Sequence, residues 1–218
     1  MKAQGTTSVE KLLSISSEPL GPRPTSLTAL FESCTLGPEL FCMLEQKNGF
    51  YAFESALHVF PIASPNCMSL EEWNAPSLWR DGYQDLAGGL LFFSEDVFQD
   101  QFCLSSAGVL RFRSETGGTS FCADSIEKWA AAILQDYSRQ TRWALASEWQ
   151  RAHGPLPVGK RLMPKTPFFL GGEYSIDNLW VGDSVEGMRF KGDLAVQTRD
   201  VPDGASVRLV VGKPPIKQ

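Results

Sequence analysis

Histidine is the side chain that most often acts as a general base near neutral pH, and this chain contains only two. His58 stands between apolar residues, and His153 stands at the end of a predicted helix, where a partly positive side chain is favourable. Neither residue belongs to a serine or cysteine motif, so a nucleophile–base pair has little support. We therefore expect no catalytic residue, and we interpret His58 as a packed strand residue.

Three carboxylates lie close together in the middle of the chain, at Glu95, Asp96 and Asp100. Their spacing matches neither an EF-hand loop nor a recognisable pair of glycosidase carboxylates, so we predict no metal site and no cofactor. Acidic residues in a turn often only solvate it and protect a hairpin from aggregation, and this interpretation is as strong as any functional one. The functional alternative is an acidic contact surface for a partner protein.

A second candidate contact surface begins at Trp79, in a segment rich in proline and glycine. Arg80, Asp81 and Asp85 follow within seven residues. An exposed tryptophan beside charged residues is typical of an interface anchor, although packing beneath a loop is the more common outcome. The partner-binding candidates are Trp79, Asp81, Asp85, Glu95, Asp96 and Asp100.

The elements that must position these residues come from the central stretch 90–134, whose hydrophobic period changes along its length. Its first part has short apolar runs broken by turn sequences, which predicts strands joined in hairpins. From Asp124 the period is helical, and Glu127 completes a predicted capping box. We expect an antiparallel meander followed by a helix that packs on one sheet face. The predicted core side chains are Phe93, Phe102, Leu104, Leu110, Phe112, Phe121, Ile126, Trp129 and Ile133.

The same stretch resembles the central block of the SUKH superfamily, which includes Smi/Knr-type yeast regulators of cell-wall synthesis and many bacterial immunity proteins paired with secreted toxins. The resemblance rests on the segments FFSEDVFQDQFCL, GVLRFRSETGG and ADSIEKWAAAIL. It covers about residues 36–134, and ELFCMLEQKNGFYAFESALHVFPI extends it through a helix, an Asn-Gly loop and a strand. One departure is Gln99, which stands where the first hairpin turn usually has glycine. Asp100 is the neighbouring residue that can tolerate a positive φ.

Composition narrows the classes of protein and of partner. The chain has 218 residues with 43% hydrophobic and 21% charged residues, as expected for one globular domain with or without a subdomain. Its formal net charge of -5 makes nucleic acid and anionic membranes poor partners and a basic protein a better one. Five cysteines without a CxxC pair do not indicate a disulfide framework, and no signal peptide or membrane span is expected. We expect a cytoplasmic monomer or weak dimer.

The remaining chain is predicted as short helices, connectors and a second group of strands. Predicted helices cover residues 9–15, 39–47, 70–73 and 141–152, with Ser69 as the cap of the third. Residues 156–167, rich in proline and basic residues, are predicted to form a connector. Four runs after it predict a β extension, with a hairpin at Asp203-Gly204. These runs are FFLGGEY, NLWVGDS, EGMRFKGDLAVQTRDV and ASVRLVVG.

The predicted fold class is α+β, with a SUKH-like antiparallel or mixed sheet, helices mainly on one face, and a C-terminal β extension. The predicted organisation is a lead-in at 1–36, the SUKH-like core at 37–154, and the extension packed on it at 155–218. The resemblance implies a toxin-neutralising immunity protein that binds a cognate toxin domain, such as a basic nuclease. Two alternatives stay open: a regulatory scaffold module of the same superfamily, and an enzyme using carboxylates that no motif reveals.

Overall fold

The computed structural model describes residues 5–27, 29–32, 34–202 and 204–205. Within them, a six-stranded sheet follows the chain order β1 to β6, and every neighbouring pair is antiparallel. A two-stranded antiparallel sheet, β7 and β8, lies later in the chain. The α+β class and the antiparallel meander are therefore confirmed. The strands are β1 Phe50–Ala52, β2 Leu57–Val59, β3 Leu91–Asp96, β4 Gln101–Ser105, β5 Gly108–Phe112, β6 Thr119–Ala123, β7 Lys160–Pro164 and β8 Leu179–Asp183.

Helices flank both sheets, and most of them are short. The α-helices are α1 Ser8–Ser14, α2 Ala29–Glu32, α3 Gly37–Gln46, α4 Leu70–Asn74, α5 Ile126–Gln135, α6 Tyr137–Thr141, α7 Trp143–His153 and α8 Ser184–Thr198. Three 3-10 segments add Arg80–Ala87, Phe168–Leu170 and Ile176–Asn178. None of these helices, across the ranges that the structure describes, is long and apolar enough to cross a membrane.

The N-terminal cap of α4 forms as predicted, and that of α5 forms at a different residue. Ser69 caps α4 through the predicted capping box with Glu72. The start of α5 differs by one residue, because Ser125 rather than Asp124 accepts the hydrogen bond from the first turn. The Glu127 carboxylate instead accepts hydrogen bonds from the first backbone N–H groups of α1. That carboxylate therefore joins α1 to α5 across 118 residues of sequence.

The core forms around Trp129 on α5, which is buried against the sheet. Its ring lies 5.0 Å from that of Phe93 and 5.7 Å from that of Phe102, both in edge-to-face contact. All of the predicted core residues except Phe121 belong to one hydrophobic cluster, in which Leu110 is only partly buried. Phe121 is 62% exposed, so its prediction as a core residue is wrong. It lies on the edge strand β6, where a register shift in the pairing with β5 breaks the regular alternation.

The C-terminal segment differs from the predicted β extension in three places. The FFLGGEY run, predicted as a strand, contains the 3-10 segment Phe168–Leu170 instead. β7 forms inside the predicted connector and pairs with β8, in the NLWVGDS run. The next run forms the helix α8, because Asp183 accepts hydrogen bonds from the first helical N–H groups. Met188 and Ala195 lie seven residues apart on its buried face. Asp203 and residues 206–218 are outside the described residues, so the hairpin and last strand stay predictions.

We expect Trp129→Ala to lower the free energy of unfolding by about 3–5 kcal/mol, the usual cost of removing a fully buried aromatic side chain. Phe121→Ala is the matched control, and its effect should stay within about 0.5 kcal/mol because the ring is mostly in solvent. Denaturant unfolding of both variants measures the difference. Equal stability of the two variants would show that α5 does not pack on the sheet through Trp129.

Candidate functional site

The six residues predicted to contact a partner do not form one exposed surface. Glu95 and Asp96 end β3 and are only 2% and 0% exposed. Asp100 is half-buried. The prediction of an exposed acidic turn is therefore wrong, because these carboxylates accept hydrogen bonds inside the protein.

Trp79 is also buried, at 2% exposure, and cannot act as an exposed anchor. Its ring packs against Tyr83 and Phe92. The alternative given above, a tryptophan that packs inside the protein, is therefore the one observed. Asp81 and Asp85 are exposed on the 3-10 segment that follows. Of the six candidates, these two therefore remain accessible to a partner.

The Glu95 carboxylate is the meeting point of four elements. It accepts a hydrogen bond of 2.7 Å from Arg161 Nε on β7, and His58 Nδ1 on β2 lies 3.2 Å away. The amide of Gln101 on β4 and the hydroxyl of Ser184 on α8 also donate to it. This carboxylate connects the central sheet with the C-terminal segment.

Asp96 organises the turn between β3 and β4. One of its oxygens accepts hydrogen bonds from the backbone N–H groups of Phe98 and Asp100, at 2.8 and 3.0 Å. The other forms an ion pair with Arg111 on β5, which also reaches Asp100. Asp100 in turn accepts a bond from the backbone N–H of Ser114. The acidic residues therefore determine the shape of the hairpin and its attachment to the next strand.

Gln99 has a left-handed backbone conformation, with φ of 69°, whereas Asp100 does not. The cost of this conformation is offset by its side chain, which donates to the carbonyl of Ser184 at the start of α8. Lys191 of α8 reaches back to donate to the carbonyl of Phe98 and to Gln99 Oε1. A Cβ at Gly187 would lie 2.3 Å from Gln99 Oε1, so glycine permits this close approach.

Burial and charge together determine the pKa values in this cluster. Burial lowers the pKa of His58 to about 4, although Glu95 opposes the shift. Burial alone would raise the pKa of Glu95, but the charge of Arg161 and the bond with His58 hold it below its usual value. Burial raises the pKa of Asp96 to about 6 against the effect of Arg111. At neutral pH the cluster therefore contains a neutral imidazole and ionised carboxylates.

The chemistry available to His58 is limited by its neighbours. Its ring stacks on Tyr51 at 4.5 Å and lines a cavity of about 160 Å³ together with Cys67. No hydrogen bond among the described residues joins the two side chains, and the Cys67 thiol donates to Ser64 instead. A thiol–imidazole pair needs such a bond, so this geometry does not form a nucleophile–base pair.

An exposed aromatic groove lies between α8 and the β7–β8 sheet, and neither of its aromatic residues was a predicted site residue. Trp180 on β8 and Phe190 on α8 are each 47% exposed along a groove of about 340 Å³. Strand alternation in NLWVGDS, with Leu179 buried and Trp180 outward, is the signal that could have indicated the first. The other apolar lining residues are Met163, Pro164, Pro167 and Leu194. We name this surface the aromatic groove.

Acidic side chains flank the aromatic groove on α8. Glu186 lies four residues before Phe190 and Asp193 lies three residues after it, so all three share one helix face. Both carboxylates are on exposed residues. Lys165 and Lys191 also line the groove, so the negative charge is confined to its helix edge.

Comparison with known proteins places the fold but assigns no family. No protein-family profile matches this chain, and no curated protein matches it. The crystal structure of Atu4351 from Agrobacterium tumefaciens is similar, with a TM-score of 0.56 and 11% sequence identity. The match covers 84% of this chain and 88% of that chain. At this identity the likeness concerns the fold alone.

Changing Glu95, Asp96 and Asp100 together to their amides should destabilise the protein, because Arg161 and Arg111 would each lose a buried anionic partner. Breaking one buried ion pair typically costs about 3–5 kcal/mol, so a large loss of unfolding free energy is expected at pH 7. Denaturant unfolding is the measurement.

The matched control changes three exposed aspartates, Asp81, Asp193 and Asp200, to asparagine. Its unfolding midpoint should stay close to that of the wild type, since exposed carboxylates contribute little to stability. If the two triple variants unfold at the same denaturant concentration, the buried carboxylates do not connect the elements described above.

His58 should make stability depend on pH between about 4 and 6.5. In this window the unfolded state binds a proton on this residue and the folded state does not, because the folded pKa is about 4. The contribution of neutral His58 to the free energy of unfolding is therefore complete above pH 6.5 and is lost as the pH falls towards 4. The loss of unfolding free energy across this range is about 3 kcal/mol. The difference in unfolding free energy between wild type and His58→Asn, measured across this range, isolates the effect. An NMR titration that shows His58 protonating near pH 6.5 would contradict it.

Proposed function

We propose that this chain is a toxin-neutralising immunity protein of a bacterial polymorphic toxin system, acting by direct protein–protein binding and without catalysis. The resemblance to the SUKH superfamily suggests the class of protein. The observation that supports a binding role is the aromatic groove, where Trp180 and Phe190 are both about half exposed. Exposed aromatic side chains grouped around an apolar groove are characteristic of protein-binding surfaces.

The proposed partner is a cognate toxin domain with a basic surface, such as a basic nuclease. The formal net charge of -5 favours association with a cationic protein. Glu186 and Asp193 place negative charge beside Phe190 and would orient a cationic partner on the groove. The proposed mechanism is steric: an apolar side chain of the toxin enters the groove, and the bound chain covers the toxin's active site.

The interior of the protein supports this location of the interface. α8, which contributes Phe190, is attached to the central sheet through Lys191 and through the bond between Ser184 and Glu95. Because these contacts hold the helix in place before binding, little conformational entropy is lost when a partner docks. A groove held in place in this way favours tight binding of a partner.

The two alternative functions, a regulatory scaffold module and an enzyme, would use different parts of this structure. A regulatory scaffold module would use the same groove for a host protein, so the identity of the captured partner separates the two binding functions. An enzyme that uses Glu95 or Asp96 would need one of these carboxylates to reach a substrate. Both side chains are buried and paired with arginine, which disfavours the enzyme.

The test is a protection assay with the toxin domain encoded beside this chain. The double variant Trp180→Ala, Phe190→Ala should bind that domain at least about 30-fold more weakly, because even one aromatic anchor in a docked interface is worth about 2 kcal/mol or more. Cells that express the toxin should lose protection with this variant. Binding is measured by calorimetry and protection by survival.

The control is Ile15→Ala, which also removes an exposed apolar side chain but far from the groove in sequence. It should bind and protect as the wild type does. Full protection by a folded groove variant would remove the groove from the interface. Capture of a host regulatory protein, together with failure to protect against any neighbouring toxin, would favour the scaffold module.

A further inference from the structure

A second concave site lies between the strands β5 and β6 and the helices α5 and α6, and it shares no residue with the aromatic groove. Its volume is about 370 Å³, within the range of small-molecule sites. Four arginines line it, although the protein as a whole is acidic. They are Arg111, Arg113, Arg139 and Arg142. We name this the arginine cavity.

Two of the four positive charges are already neutralised. Arg111 pairs with Asp96 and Asp100, and Arg139 pairs with Asp136. No carboxylate among the described residues lies within ion-pair distance of Arg113 or Arg142. The Arg142 guanidinium lies over the Tyr174 ring, 6.0 Å from its centroid. The cavity therefore carries two guanidinium groups without an ion-pair partner among the described residues.

The other polar groups that line the cavity add donors. The Trp129 side chain lines it while almost fully buried, and its indole N–H has no hydrogen-bond partner among the described residues. A buried donor without a partner is uncommon in native proteins and indicates a missing acceptor. Ser120 and Gln140 supply a hydroxyl and an amide. Arg142 is also the N-cap residue of α7, which has no side-chain cap, so the positive end of that helix lies beside the cavity.

We propose that the arginine cavity binds a phosphorylated small molecule. Arg113 and Arg142 hold the phosphate, because the planar guanidinium fork matches two oxygens of a phosphate group. The cavity is much larger than a phosphate ion, so an organic part fills the remaining space. Phe121, an exposed aromatic side chain in the lining of the cavity, covers that part.

This inference does not depend on the proposed toxin partner. The groove and the cavity have no lining residue in common, so a variant of one leaves the lining of the other unchanged. Absence of phosphate-ester binding by the wild-type chain, with intact protection, would contradict only the cavity. Ester binding by a wild-type chain that does not protect would contradict only the groove.

The test is a titration of the full chain with adenosine 5′-monophosphate, ribose 5-phosphate, inorganic phosphate and unphosphorylated adenosine at constant ionic strength. The readout is the indole N–H resonance of Trp129, assigned through Trp129→Phe. We expect saturable shifts with both phosphate esters, weaker binding of inorganic phosphate, and no shift with adenosine.

The variant Arg113→Gln, Arg142→Gln should weaken ester binding by about tenfold or more, since each guanidinium supplies charge-assisted hydrogen bonds. Arg23→Gln is the control, because Arg23 is an exposed arginine outside the cavity. Far-UV circular dichroism confirms that both variants are folded. Shifts without saturation, or equal affinity in the double variant and the wild type, would overturn the site. Failure of both esters to bind more tightly than inorganic phosphate would overturn the assignment to a phosphorylated small molecule.

Discussion

The ionised carboxylate of Glu95 is fully buried, and a buried charge is tolerated only when hydrogen bonds and an opposite charge compensate for lost hydration. Arg161 supplies that charge from β7, 66 residues further along the chain. Because Ser184 at the start of α8 also donates to Glu95, this one carboxylate connects both β7 and α8 to the central sheet. The interaction restricts how β7 and α8 can sit on the central sheet.

The neighbouring turn extends the same constraint. Gln99 occupies a left-handed conformation that glycine would adopt more easily, and its side chain then binds the backbone of Ser184. Lys191 completes the connection from α8 to the turn. A polar residue at this strained position therefore joins two parts of the protein, which glycine could not do.

These internal contacts determine which surfaces remain available for function. The carboxylates of the turn are occupied inside the protein, and the accessible features lie on either side of it. The aromatic groove is formed on α8 and the β7–β8 sheet, and the arginine cavity is formed where β5 and β6 meet α5 and α6. Arg111 belongs to both the buried turn network and the cavity wall, so the stability of the hairpin and the shape of the cavity depend on one side chain.

The sequence by itself determined the local elements of the central stretch and the start of α4. The change from a two-residue to a helical period predicted the meander and α5, and Ser69 predicted the start of α4, because these signals depend on nearby residues. Only the tertiary structure decided where Glu95 and Asp96 lie, since a carboxylate in a turn is equally suited to solvent and to a buried arginine. Arg161 lies too far along the chain for any periodic pattern to associate it with Glu95. The helix α8 was missed because its buried face packs against the distant 3-10 segment Arg80–Ala87. The exposure of Phe121 was missed because it depends on the register shift between β5 and β6.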